Sequence, residues 1–294
     1  AFDGDPNCID PQQAGNNTAL NVGRQLVDSL TDQDPQSAEI LPWLAQRWEV
    51  SDDSRQFTFH LREGVTFADG SPLDAAAVKA NFAAIVALGA RAQLAGTYLA
   101  GLESVEVLGP LSVRVSFKQA NAQFLQASST MSLGLLSPAT LKLSAEERCQ
   151  GALLGSGPFT VKSFEHNRLV RIEARPDYNW PSSLAGHQGR AWLDAIEFHI
   201  LPESGVRLGS LLSAQIDVNT SVPVQDEAVL EAQGVPSINR PNPGIVFSLT
   251  PNLSRPPLDE LAVRQAYQAR VEALEAKLVD VPLSLERDRL VLHE

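Results

Sequence analysis

The sequence is short of most features that announce a chemistry. It has 2 cysteines, 1 methionine and 5 histidines in 294 residues. The histidines, His60, His166, His187, His199 and His293, lie outside helical reach of one another. With no HExxH and no CxxC pair, the pattern offers no metal site. Neither a Walker glycine loop nor a GxGxxG turn is present, which excludes the common phosphate and dinucleotide cradles. Basic residues are scarce: 23 Lys+Arg face 35 Asp+Glu, a net charge of −12 with no basic block. Affinity for a phosphate backbone comes from clustered Lys and Arg, so a nucleic-acid partner is not expected. Long apolar runs are missing too. The nearest, residues 83–88, falls far below the ~18 residues that span a bilayer. Residues 1–6 hold neither the charged nor the apolar part of an export signal, which points to a signal removed or never included.

What is present describes a globular chain. Hydrophobic residues make up 44% and charged residues 20%, enough for one or two cores and unlike a disordered chain or a disulfide-only miniprotein. Leu20, Val22, Leu26, Val27 and Leu30 recur at helical spacing after a polar loop. Residues 57–62 alternate apolar and polar, the mark of a half-buried strand. Ser71-Pro72-Leu73-Asp74 reads as a helix start with Ser71 at the N-cap and Pro72 at the first helical position, followed by a stripe of Val78, Phe82 and Ile85. Two antiparallel hairpins are expected, turning at Gly109-Pro110 and at His166-Asn167. Residues 196–200, a helix over 204–213 and Ile216-Asp217-Val218 suggest a strand-helix-strand crossover. The Pro-flanked run 245–249 reads as a hinge strand. A helix then opens at Leu258-Asp259, where Tyr267, Val271, Leu274, Leu278 and Val281 form a stripe too short for a coiled coil. The fold class is α/β.

Catalytic signals are thin. Gly155-Ser156-Gly157 resembles part of a nucleophile elbow but lacks the glycine two residues before the serine, so a tight turn into the strand at Phe159 is the better reading. No catalytic residue and no cofactor are expected. Cys8 and Cys149 enclose 141 residues; a disulfide and two separate buried thiols both remain open on the residues alone.

The order of several motifs resembles a known family. Ile40-Leu41-Pro42-Trp43-Leu44-Ala45-Gln46-Arg47-Trp48-Glu49-Val50 is followed by Phe57-Thr58-Phe59-His60-Leu61-Arg62-Glu63-Gly64-Val65, and then by Phe67-Ala68-Asp69-Gly70-Ser71-Pro72. Further along come Gly155-Ser156-Gly157-Pro158-Phe159, Arg175-Pro176-Asp177-Tyr178, the stretch 206–217, Pro251-Asn252-Leu253-Ser254-Arg255-Pro256-Pro257 and Val263-Arg264-Gln265-Ala266. Together they resemble family 5 extracellular solute-binding proteins, the dipeptide, oligopeptide and nickel binders of ABC importers.

The resemblance implies a mixed-sheet lobe of a type II periplasmic-binding-protein-like fold, with the second lobe largely absent. On that reading residues 1–240 form the first lobe, 241–257 the hinge strand and Pro-rich linker, and 258–294 a C-terminal helix and tail that leaves the family pattern after about residue 266. It further implies an exported monomer, periplasmic or at the cell surface, with lipid anchoring of the precursor left open. Such a chain captures a solute, a peptide foremost, and delivers it to the membrane permease without catalysis. Export in turn implies a Cys8–Cys149 disulfide. Trp43, Leu44 and Trp48 are expected beneath a sheet, while Thr18, Thr31, Thr130, Met131, Ser132 and Asn242 are the expected solute contacts. The alternative is a lone lobe that no longer binds solute and docks or self-associates through the helix of Tyr267, Val271, Leu274 and Leu278.

Overall fold

Alternation and turn chemistry set most of the architecture in the computed structural model, which describes residues 1–238 and 252–278. In chain order the elements are α1 (Asn17–Leu26), β1 (Thr31–Gln33), β2 (Ile40–Pro42), β3 (Ala45–Val50), β4 (Gln56–Leu61), α2 (Ala75–Leu88), α3 (Gln93–Tyr98), β5 (Leu102–Gly109), β6 (Ser112–Phe117), α4 (Phe124–Ala127) and α5 (Ala145–Cys149). They continue with β7 (Phe159–Glu165), β8 (Leu169–Ala174), β9 (Ala195–His199), α6 (Ser204–Leu212), α7 (Val224–Ala232) and α8 (Leu261–Leu278). The chain divides into two compact units at Val235/Pro236.

The first unit carries three antiparallel sheets: β1-β2, β3-β4-β6-β5 and β7-β8-β9. A parallel bridge from Phe2 to Ile200 adds the first residues beside the last of these. Both expected hairpins form, with Val105 opposite Val115 and Phe164 opposite Val170. The buried phase of β4, Phe57, Phe59 and Leu61, shares one core with Val78, Phe82 and Ile85 of α2, joined by Leu44, with Trp48 half-buried against it; Trp43 is buried outside this cluster and donates its ring N–H to Trp180 O at 3.1 Å. A second core gathers Phe2, Ile9, Val22, Leu26, Val27, Phe159, Val170 and Ile172 around the three-stranded sheet.

Three local expectations are corrected. Helix α2 begins at Ala75, three residues late, because Pro72 is used in a bridge to Thr66 and Leu73 N–H donates to the Val65 carbonyl. Asp74, whose carboxylate accepts from Ala77 N–H at 2.8 Å, is the N-cap. Ser71 instead donates to Asp69 in the preceding turn. Residues 216–218 form no strand; Ile216 N–H turns back to the Ser210 carbonyl at 3.3 Å, and Ala1 N to Val218 O with Thr220 N–H to Ala1 O is too little for a ladder. In the second unit α8 starts at Leu261, and Arg264 closes the turn before it by donating to the Leu258 and Asp259 carbonyls, both at 2.8 Å. On α8 Tyr267 is exposed and Val271 half-buried. The 245–249 strand, Asn242 and Val281 lie outside the described residues.

Candidate functional site

Helix α1 starts with Asn16 at its N-cap, accepting from Ala19 N–H at 2.9 Å, while the Asn16 amide donates to Pro6 O at 3.1 Å. That second bond ties the helix start to the irregular first segment of the chain. Between the two, and closed on a third side by Thr220 and Ser221, lies an open groove of about 520 Å³. Asp3, Gly4, Asp5, Asn16, Asn17, Thr18 and Asn21 complete its lining, all of them polar residues except Gly4. Thr18 donates its hydroxyl proton to Asn16 Oδ1 at 2.7 Å, so its oxygen is left to accept from whatever enters. Amides on a helix start, one exposed carboxylate at Asp3 and a hydroxyl suit hydrogen bonding to a small polar molecule. They supply no paired base and nucleophile.

The far end of α1 is bolted to the body. Gly157 N–H donates to Leu26 O at 3.0 Å, and Ser156 Oγ accepts from Asp28 N–H at 2.9 Å. A Cβ at Gly155 would stand 2.0 Å from Leu26 O, and one at Gly157 2.5 Å from the Leu26 carbonyl carbon. Only glycine permits that approach. Ser156 is fully buried in this joint, which removes it as a nucleophile.

Beneath the joint sits a buried carboxyl. Asp28, with no exposure, accepts from Tyr178 OH at 3.1 Å and Trp180 Nε1–H at 2.9 Å. Burial pushes its pKa up to about 7, against those two bonds and the nearby Arg24 and Arg175. Tyr178 is raised in turn by burial and by Asp28. Arg24 lies over the Trp43 ring, 5.1 Å from its centroid, and donates to Ser129 O at 2.6 Å. Asp28, Tyr178, Trp180 and Trp43 are buried here, with Arg24 half-buried at their edge, and their hydrogen bonds run within the scaffold.

Of the residues named from sequence, Thr18 lines the groove, Asn242 lies outside the described residues, and the other four do not line it. Thr31 is fully buried, with Oγ1 donating to Leu125 O at 2.9 Å and lying 2.8 Å from Ser128 Oγ. Ser132 is buried, Met131 packs on the second core, and Thr130 turns its hydroxyl back to Ala127 O at 2.8 Å. The Thr31 and Thr130 hydroxyls are thus satisfied by the chain's own carbonyls. Cys8 and Cys149 form a disulfide with Cα atoms 4.2 Å apart. Asp3, Asp5, Asn16, Asn17, Asn21, Thr220 and Ser221 went unrecognised. The signal at hand was Asn16-Asn17 immediately before an apolar-periodic run, an N-cap pattern that places polar groups at a helix mouth.

A model of the bacterial extracellular solute-binding proteins, family 5, matches residues 39–269, well over half of the chain. The chain belongs to this family. Among curated family 5 relatives it is 28% identical over 274 residues to the probable D,D-dipeptide-binding periplasmic protein DdpA of Escherichia coli K12, covering 89% of this chain and 50% of that protein. It is also 28% identical over 291 residues to probable di/tripeptide-binding protein 5 of Pseudomonas aeruginosa, covering 89% and 52%. Among solved structures, a dipeptide-binding protein from Pseudoalteromonas sp. SM9913 in complex with Met-Leu superposes with a TM-score of 0.72 at 24% identity, over 90% of this chain and 55% of that one. The fold is therefore a lobe of the type II periplasmic-binding-protein class, and the chain spans about half the length of the relatives it matches. Family 5 proteins bind solutes for ABC import and are not enzymes. Among the described residues no helix is long and apolar enough to cross a membrane.

Proposed function

We propose that this chain captures a small polar solute, a peptide foremost, outside the cytoplasm and passes it to an ABC import permease. It acts as a monomer and without catalysis. The observation that carries the reading is the open polar groove at the start of α1, whose amides, hydroxyl and exposed Asp3 match the donors and acceptors of a short peptide. Relatives named for D,D-dipeptides, di/tripeptides and glutathione support the same solute class. On this reading residues 1–240 are one lobe of a clamp and 241–257 lead toward its hinge. Thr18 is the sequence-named contact that we retain.

The test is a thermal-shift screen of the chain against di- to pentapeptides, sugars and metal chelates. A ligand that binds only the folded state raises stability by RT ln(1 + [L]/Kd). Peptides are expected to raise the melting temperature, and Asn21→Ala to weaken a peptide hit by about two- to tenfold. No shift from any candidate at millimolar concentration overturns the reading.

A further inference from the structure

The third wall of the groove, Thr220 and Ser221, lies in the loop between α6 and α7 and belongs to no helix or strand. Two attachments set its place. On one side Ala1 O accepts from the Thr220 N–H at 3.2 Å and from the Thr220 hydroxyl at 3.0 Å. On the other, one side chain of α6, Arg207, holds the residues that flank Thr220. Its Nε–H donates to Asn219 Oδ1 at 3.2 Å and its Nη2 to Ser221 O at 3.3 Å. A guanidinium only donates, so the Asn219 atom facing it is the amide oxygen. The remaining nitrogen, Nη1, donates to the Leu201 and Pro202 carbonyls at 2.6 and 2.7 Å, just past the end of β9.

The end of β9 also carries the segment that forms the first wall. Phe2 N–H donates to His199 O and Leu201 N–H to Phe2 O, both at 2.9 Å. Leu201 thus gives its N–H to the first segment and its carbonyl to Arg207, and two walls of the groove are registered on one residue. Ser221 shows what the clasp achieves. It stands in the left-handed region, at φ +55°, which a serine keeps only where its surroundings impose it. Among the described residues its bond from Arg207 is the one hydrogen bond it makes, so its hydroxyl and N–H are left for whatever enters the groove. Arg207 itself is 3% exposed, and among the described residues no carboxylate pairs with it. Burying a cation among neutral carbonyls is costly, and packing alone would be served by an apolar side chain of similar length. What arginine adds here is a rigid fork that reaches three ways.

We propose that Arg207 is a positioning residue of the groove, whose guanidinium sets the Thr220–Ser221 wall against the end of β9 and so presents Ser221 to the solute. This rests on the groove being the solute site. Arg207 acts from behind the wall and touches no solute itself. Lysine, with one nitrogen on a flexible stem, cannot serve Leu201 O, Asn219 Oδ1 and Ser221 O together. It keeps the charge and gives up the fork.

The first measurement needs no solute. In the ¹⁵N-labelled chain the Arg207 Nε–H is expected to exchange slowly, unlike that of an exposed arginine. Arg207→Lys should speed exchange of the Thr220 amide about fivefold and leave the β4 and β6 amides unchanged. The second measurement is a double-mutant cycle on the Kd of a peptide hit from the screen. Arg207→Lys and Ser221→Ala are each expected to raise Kd about three- to tenfold, and the pair no further than Arg207→Lys alone. Arg207→Lys combined with Asn21→Ala, on the α1 wall, should instead multiply, a contrast that general destabilisation would not produce. Asn219→Ala removes only the Nε acceptor and should move Thr220 exchange and Kd the same way by about twofold, which keeps the test decisive if the lysine variant does not fold. A fast Arg207 Nε–H, a Kd unchanged in the folded variants, or effects of Arg207→Lys and Ser221→Ala that multiply, overturns the clasp and leaves the groove reading standing. If no peptide binds while the exchange rates respond as expected, it is the solute reading that falls, and Arg207 still sets the wall.

Discussion

The two cores of the first unit are built from different materials. Around the four-stranded sheet, Phe124 meets Phe117, Phe57, Phe59 and Phe82 edge to face, with centroids 4.7, 5.0, 6.1 and 6.4 Å apart. All five rings are buried in an apolar interior. Around the three-stranded sheet, the irregular first segment is held by cross-links of other kinds. These are the Cys8–Cys149 disulfide, a buried Asp10–Arg148 ion pair at 2.7 Å, and Gln12 bonded to Asn81 at 2.7 Å. Strands and helices supply their own backbone partners, so one core needs only side-chain packing. The wall of a groove has no ladder, and its position must be set by specific bonds. On the proposed function, the groove side of the first unit is the cross-linked side.

Substitutions on each side separate these two modes. Phe124→Ala is expected to cost the most, about 3–5 kcal/mol, because a buried ring with four aromatic partners leaves a cavity. Urea unfolding measures it, and a loss under about 1 kcal/mol would break the contrast. Replacing both Cys8 and Cys149 by alanine should cost about 2–4 kcal/mol, since the loop they close is long. The same variant should raise hydrogen exchange at residues 3–9 more than in β4 or β6, and uniform loosening would argue against a local tether.

Asp28 stands at the seam, between Val27 of one core and Leu30 of the other. Its folded pKa of about 7 lies above the unfolded carboxyl value near 3.9. The native state therefore binds the extra proton in that interval, and stability falls as pH rises from about 4 to about 7, by up to about 1.4 kcal/mol per pH unit. Asp28→Asn, which can still accept from Trp180 and donate to Tyr178 oxygen, should flatten this slope in a pH series of unfolding curves. A slope unchanged in that variant would assign it to other groups. A smaller effect is expected from Asp74→Ala, about 1 kcal/mol through loss of the α2 cap, with the groove untouched. Ser71→Ala should be near neutral by the same assay, which sharpens the placement of that helix start.

The packed side was the more legible in sequence. Alternation in residues 57–62 and the Val78, Phe82, Ile85 stripe are local patterns, and local patterns report which face is buried. The α2 start was misplaced because Ser71 and Asp74 both carry capping chemistry, and the choice depended on a bridge from Pro72 to Thr66. The groove was mostly hidden. Its lining comes from residues 3–5, 16–21 and 220–221, and no spacing rule joins segments that far apart. Thr31, Thr130 and Ser132 looked available as hydroxyls between apolar stretches. Those same stretches bury Thr31 and Ser132 and leave Thr130 half-buried, and the Thr31 and Thr130 hydroxyls donate to nearby backbone, at Leu125 O and Ala127 O.

The glycine joint at Gly155 and Gly157 bears on how capture would register in a calorimeter. Helix α1 carries Asn17, Thr18 and Asn21 at one end and is seated against those glycines at the other, so its groove face is ordered before any solute arrives. The loss of conformational freedom on this wall falls on folding and not on association. Heat and entropy of binding should then report mainly the solute's own ordering and the release of groove water, and a bulkier residue at position 157 should turn a preformed wall into one that must be assembled at each encounter.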